Sequence, residues 1–276
     1  MRNFVMLSLL ASLSLAAGAA QAASSVERGD YLVNSIAACG NCHTPQGPEG
    51  PMMDKALSGM LVEQNEQYTA IAPNITPAGE IKDWTDEQVI KAIREGMRPD
   101  GKVLGPPMPF ETYKGLSDTD VASIVMYLRT VPPVENDPGK SEYKIPLPSA
   151  WGPPIASVAD VPEGVTVEYG AYLAGPLGHC IVCHTTFGEM GPMLDTHLGQ
   201  GGAEFKGPWG TSVAANITPT GIGHYSDDDL VKIITTGTRP DGSKLKPPMP
   251  VWAYARMKPD DVQAIVLYLR SLPPKG

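Results

Sequence analysis

Cys39-Gly40-Asn41-Cys42-His43 and Cys180-Ile181-Val182-Cys183-His184 together use every cysteine of this 276-residue chain and two of its five histidines. Cysteines three apart lie on one side of a helical turn, so both sulfurs can form thioethers with the two vinyl groups of one porphyrin. The histidine that follows then faces the iron and supplies an imidazole nitrogen as proximal ligand. Each stretch therefore reads as an attachment site for a c-type haem, and the chain is expected to bind two haem c groups covalently.

Other uses of C-x-x-C fit less well. A thioredoxin-like redox pair needs a flanking βαβ pattern, and a zinc ribbon needs two such pairs about 15 to 20 residues apart. The two pairs here stand 141 residues apart, strands are hard to find nearby, and a histidine closes both. Disulfides at three-residue spacing are poor bridges and leave both histidines unexplained.

The 141-residue shift aligns much more than the cysteines. Tyr31-Leu32 falls on Tyr172-Leu173, Gly50-Pro51-Met52 on Gly191-Pro192-Met193, and Arg98-Pro99-Asp100-Gly101 on Arg239-Pro240-Asp241-Gly242. Pro106-Pro107-Met108-Pro109 falls on Pro247-Pro248-Met249-Pro250, and Tyr127-Leu128-Arg129 on Tyr268-Leu269-Arg270. Asn74-Ile75-Thr76-Pro77 recurs at Asn216-Ile217-Thr218-Pro219 with a shift of 142. The chain reads as a tandem duplication of one haem-binding unit.

The sequence divides accordingly. Residues 1–22 hold one charge, Arg2, then an apolar run and the small-residue site Ala20-Gln21-Ala22, the layout of a secretory signal cleaved after Ala22 or Ala23. Residues 23–134 form the first unit, 135–163 a proline-rich linker, and 164–276 the second unit. The linker carries Tyr143, Ile145, Leu147 and Trp151, so it is expected to lie along the domains rather than float free. No second apolar run approaches membrane-spanning length, which predicts a periplasmic protein that is soluble or peripheral to the membrane. Loss of Arg2 takes the formal charge of −9 to −10, which argues against nucleic acid or an anionic membrane surface as a partner.

The expected fold class is mainly α: two tandem cytochrome c (class I-like) domains. Thr85-Asp86-Glu87-Gln88 resembles a capping box before an apolar stripe at Val89, Ile90 and Ile93, with Gly96 placed as terminator; Ser226 to Gly237 repeats the pattern. Closing helices start near Ser117 and at Pro259, and further helices precede each signature. With four phenylalanines in the whole chain, the porphyrin itself must supply much of each core.

The first unit has a single histidine, His43, already assigned to the proximal position, and no cysteine remains. Methionine is the natural sixth ligand, since its thioether binds haem iron and raises the reduction potential. Met52 with Met193, and Met108 with Met249, are the two pairs that survive the repeat. Met52 follows His43 too closely to leave the proximal face, whereas Met108 lies 65 residues on and its flanking prolines hold the loop out of a helix. His43 with Met108 and His184 with Met249 are thus the expected axial ligands, the alternative being that these sulfurs only fill space. Arg98, Arg239, Trp84 and Tyr225 are candidates for propionate contacts, against plain roles as loop salt bridge and helix-entry staple. His179, His197 and His224 have no histidine twins and are read as surface residues.

These motifs, with the Trp84-Thr85-Asp86-Glu87 and Tyr225-Ser226-Asp227-Asp228 helix starts, resemble the cytochrome c subunits of bacterial membrane-associated dehydrogenases for alcohols, aldehydes and gluconate. Members of that family commonly carry three haem domains, against two signatures here. The resemblance implies His/Met iron and electron transfer from a dehydrogenase toward the respiratory chain, leaving to an oxidase, a quinol-linked complex or a small cytochrome or copper protein. An electron carrier rather than an enzyme is expected. The competing class is a di-haem enzyme such as a peroxidase, which needs one open iron, and the same Pro-Pro-Met-Pro in both halves speaks against it.

Overall fold

A computed structural model describes residues 23–188 and 191–276. The expected signal, residues 1–22, lies outside the described residues. No described helix is long and apolar enough to cross a membrane.

The first half begins with helix α1 (Val26–Asn34), started by the Ser25 side chain accepting from the Arg28 N–H, and leads into the Cys39–His43 turn. A hairpin of strands β1 (Met60–Gln64) and β2 (Tyr68–Ala72) follows. Helix α2 (Asp86–Glu95) opens on the Thr85–Gln88 capping box and stops at Gly96, which takes the left-handed conformation with φ 62°. Helix α3 (Asp118–Leu128) is capped by Ser117. A short strand β3 (Glu142–Tyr143) then adds to β2.

The second half repeats the order with α4 (Val167–Tyr172), the hairpin β4 (Glu204–Gly207) and β5 (Gly210–Val213), α5 (Asp227–Thr236) and α6 (Pro259–Ser271). Here Ser226 and Asp229 form the capping box, and Pro259 occupies the first turn of α6. The architecture is helix-rich, with hairpins that the mainly α expectation did not include. Their strands are too short for a period-two pattern to stand out from the loops.

Within each half the opening helix crosses the closing helix at very close range. A β-carbon at Gly29 would lie 2.0 Å from the Ser123 carbonyl oxygen, and one at Gly170 would lie 1.9 Å from that of Ala264. Only glycine permits this approach. Tyr-Leu-Arg, a motif without an assigned role in the sequence, ties the end of the closing helix to the turn before the middle one. Arg129 donates to the carbonyls of Ile81 and Trp84 and to Asp86; Arg270 does the same with Ile222, Tyr225 and Asp227.

The halves share one continuous apolar core, running from Leu32, Val33 and Ile36 through Leu116 and Val121 to Tyr169, Leu173, Val262 and Leu269. Polar contacts across the boundary are reciprocal, as in an isologous interface. The Tyr31 hydroxyl donates to Asp261 (2.5 Å) and accepts from the Lys258 N–H (3.1 Å). Its twin Tyr172 donates to Asp120 (2.7 Å) and accepts from the Ser117 N–H (3.1 Å). Each tyrosine thus caps the start of the other half's closing helix.

The two contacts differ in what remains when the hydroxyl is lost. Asp120 keeps a bidentate pair with Arg28 at 2.8 and 3.0 Å, whereas Tyr169 stands where Arg28 would be in the second half and leaves Asp261 without that partner. Burial pushes Asp261 above the usual carboxylate range, against the Tyr31 hydrogen bond. Tyr31→Phe is therefore expected to cost about 2–3 kcal/mol and Tyr172→Phe about 1 kcal/mol in urea unfolding of the holoprotein. Equal losses, or none, would refute this reading of the interface.

Candidate haem-attachment sites

Both signatures sit at the end of a helix that has been wound open. After α1 the Ala37 and Cys39 N–H groups reach back to Leu32 and Val33, and after α4 a widened turn, Leu173–Leu177, holds Pro176. The residue before each first cysteine lies in the left-handed region, Ala38 at φ 45° and His179 at φ 41°. This re-aims the chain so that Cys39–His43 and Cys180–His184 start new helical turns, closed by the hydrogen bonds of His43 N–H to Cys39 and of His184 N–H to Cys180.

None of the four cysteines is joined to another in a disulfide. Burial is the main cause that pushes them up, Cys39 and Cys183 to about 12 and Cys42 and Cys180 to about 11. Gly178, just before the second turn, stands against Ile36, just before the first, where a β-carbon would meet the Ile36 side chain at 2.7 Å, so the two attachment turns are close neighbours.

The histidine geometry is the same in both halves. His43 Nδ1 lies 2.8 Å from the Pro73 carbonyl oxygen, and His184 Nδ1 lies 2.7 Å from that of Ala215. A carbonyl only accepts, so Nδ1 carries the proton and Nε2 keeps its lone pair. Burial lowers both imidazole pKa values and favours the neutral form that binds metal. A fixed tautomer with the second nitrogen tied to a carbonyl is the usual support of a metal-bound histidine. Two thiols and one such histidine per turn fit the donor set of a covalently bound haem.

The repeated Asn-Ile-Thr-Pro motif holds this support in place. Asn74 Oδ1 accepts from the Thr76 N–H and hydroxyl, while Nδ2 donates to the carbonyls of Val134 and Asn136. Asn216 repeats this with Thr218 and the Lys275 carbonyl. The carbonyls that orient His43 and His184 belong to the residues just before these asparagines. The motif therefore links the chain beyond the closing helix to the histidine. Thr44 and Thr185, both fully buried, add a hydroxyl acceptor for the N–H groups of Leu57 and Gly199.

Met108 and Met249 lie in matching loops and pack against the core from partly buried positions. Both preceding Pro-Pro bonds, Pro106-Pro107 and Pro247-Pro248, are cis. Met52 and Met193 instead fold back over short hairpins of their own, in which Gln46–Gly47 pair with Gly50–Pro51 and Phe187–Gly188 with Gly191–Pro192, and where β-carbons at Gly47 and Gly188 would lie 3.5 and 3.0 Å from them.

Arg98 is paired with Glu80 and Asp100, and its guanidinium stands 5.5 Å from the centre of the Trp84 ring. Its twin Arg239 makes a hydrogen bond to Ser243 and is half-buried. Tyr225 packs on His224 at 4.0 Å between ring centres. One expectation needs correction: His179 is not a surface residue. It sits at the boundary between the halves, edge-on to Tyr113 at 5.8 Å, and burial lowers its pKa to about 4. Its place immediately before Cys180 was the available signal, because that position enters the attachment turn. His197 is partly covered, and His224 is exposed as expected.

Sequence reasoning also missed the contacts that join the two sites. The Trp252 ring lies over Gly40, where a β-carbon would meet it at 3.1 Å. Asn41 Nδ2 donates to the Pro248 carbonyl at 3.1 Å, connecting the first attachment turn to the residue beside Met249. The twin of Asn41 is Val182, so this connection runs one way only.

Residues 26–132 match the cytochrome c family model. The chain is 34% identical over 91% of its length to the fructose dehydrogenase cytochrome subunit of Gluconobacter japonicus, covering 53% of that protein. It is 30% identical over 91% of its length to the cytochrome c subunit of a quinone alcohol dehydrogenase of Gluconobacter oxydans, covering 56%. A diheme cytochrome c-type protein of Cereibacter sphaeroides is 28% identical over 85% of the chain, with 82% of that protein covered. The chain thus spans little more than half of the dehydrogenase subunits it matches.

Proposed function

We propose that this chain, which contains a cytochrome c domain and is a relative of the cytochrome c subunits of bacterial dehydrogenases, is a periplasmic di-haem electron carrier. The family implies covalently bound haem c, which supplies a one-electron Fe(III)/Fe(II) couple when bound. Two such groups are placed here, one on Cys39 and Cys42 in a domain of residues 23–134, the other on Cys180 and Cys183 in a domain of residues 164–276. The proline-rich segment 135–163 joins them. His43 and His184 would each supply an imidazole ligand to the iron, and Met108 and Met249 would each supply a thioether. Arg98, Arg239, Trp84 and Tyr225 remain candidates for the propionate edge, with Arg98 sharing its charge with Glu80.

The observation that carries this reading is the repeated bond from histidine Nδ1 to a backbone carbonyl, found in both halves with the same motif behind it. Neither half is set apart as an open, reactive site. Adjacent attachment turns favour a relay, since electrons tunnel between groups held close in a dry boundary. A dehydrogenase is the proposed donor and a component of the respiratory chain the acceptor.

The test is stoichiometry and reactivity of the purified holoprotein. Potentiometric titration is expected to show two one-electron steps per chain, full reoxidation by a small cytochrome or copper protein, and no peroxide turnover. One electron per chain, or steady consumption of peroxide, would reject the carrier.

A further inference from the structure

The duplication makes each half a template for the other, and the largest difference between them is at the hairpin. In the first half the outer edge of β2 is covered by the segment that follows Val134. Ser141 Oγ bonds both the N–H (2.9 Å) and the C=O (3.1 Å) of Ile71, and Glu142–Tyr143 pair with Thr69 and Tyr68 as strand β3. The Tyr143 hydroxyl reaches the Pro106 carbonyl at 2.6 Å, and its ring fills the space beside Gly105, where a β-carbon would meet it at 2.3 Å.

In the second half the equivalent strand, β5, pairs only with β4 among the described residues. Val213, the twin of Ile71, is 60% exposed, and Trp209 in the hairpin turn is 37% exposed. Ser212 already bonds the Pro247 carbonyl at 2.6 Å, so the role of Tyr143 is filled from within. Charge differs too. Lys244 stands in the place of Val103 and Lys246 in the place of Gly105, both exposed, and exposed Lys206 lies across the hairpin from Thr211. Glu204, opposite Val213, is the one acidic residue of the hairpin strands.

We propose that the open edge of β5 takes an extended acidic segment of a separate partner protein as a third strand. Main-chain bonds to an exposed edge give such a segment its affinity, and the lysines select its charge. The segment that covers the first half shows the backbone form such a partner would take, and it carries Glu135, Asp137 and Glu142 with Lys140 and Lys144 among them. Facing Lys206, Lys244 and Lys246, the partner of the second half is expected to be more acidic. The inference rests on the reading of the chain as a duplicated unit, and not on the identity of the iron ligands. It assigns docking to the second half, next to the Pro248-Met249 loop.

The probe is a synthetic peptide copying residues 135–145 with Lys140→Glu, added to reduced, isotope-labelled holoprotein and followed by amide chemical shifts. Saturable shifts confined to residues 210–214 and 244–247 are expected. The pair Lys244→Glu and Lys246→Glu should weaken binding about tenfold, and Val213→Pro, which removes an edge N–H, should abolish it. The haem spectrum of each variant, read separately, should match the parent. Shifts elsewhere, no shifts at millimolar peptide, affinity indifferent to the lysine reversals, or self-association through this edge would overturn the proposal. A changed haem spectrum with binding intact would count against the ligand assignment alone.

Discussion

Replacing Cys39 and Cys42 together by serine is expected to yield a chain with one haem instead of two and a first half that no longer folds. The core that the first half builds from its own side chains is small: Leu32, Val33, Ile36, Leu116, Val121 and Val125 are buried to within 1% exposure, and the chain has only four phenylalanines to enlarge it. Losing a group as large as a porphyrin removes apolar burial equal to several core side chains, each worth about 1.5–3 kcal/mol. The total is about 5 kcal/mol or more, comparable with the whole stability of a domain. Because the apolar core runs through both halves, the second half should lose stability as well, though it keeps its haem. Haem-to-protein ratio and circular dichroism of the purified variant check this directly. A well-folded chain with one haem would mean that the porphyrin stands outside the core.

The second large effect is expected at the methionines. Met108→Ala and Met249→Ala should each convert half of the haem signal to an open, high-spin form that binds cyanide quickly. The potential of the altered haem should fall by about 0.1 V or more, a fraction of the ~0.8 V range that axial ligands span. Stability should fall by about 2 kcal/mol at each site, since both residues pack against the core. Met52→Ala and Met193→Ala, which act on residues folded over their own hairpins, should leave the spectra unchanged. If Met52→Ala instead opened an iron, the ligand assignment would have to move to that pair.

Much of this was legible in the sequence because it depends on short local patterns. The capping boxes at Thr85 and Ser226, the stop at Gly96 and Gly237, and the proline that opens α6 are fixed by nearest neighbours. The donor set was legible for the same reason: cysteine, cysteine and histidine lie within five residues. What could not be read depends on pairings distant in sequence. The carbonyls of Pro73 and Ala215 carry no side-chain signature, although the repeated asparagines beside them mark the place. The Tyr31–Asp261 and Tyr172–Asp120 bonds join residues 230 and 52 positions apart, and only the conservation of both partners through the repeat hinted at a shared role. His179 looked like a surface residue because it has no twin histidine, yet the turn that re-aims the chain half-buries it against Tyr113. The hairpins escaped notice because strands of four or five residues leave no periodic trace.

The central claim is that both irons are closed by histidine and methionine, which makes the chain a relay and not a catalyst. The most direct test is electron paramagnetic resonance of the fully oxidised holoprotein, with absorption recorded in the region of the iron–thioether charge-transfer band. Two low-spin ferric centres of equal intensity, with that band lost by half in Met108→Ala and by half in Met249→Ala, are the expected result. A high-spin signal from either haem in the unaltered protein would contradict it.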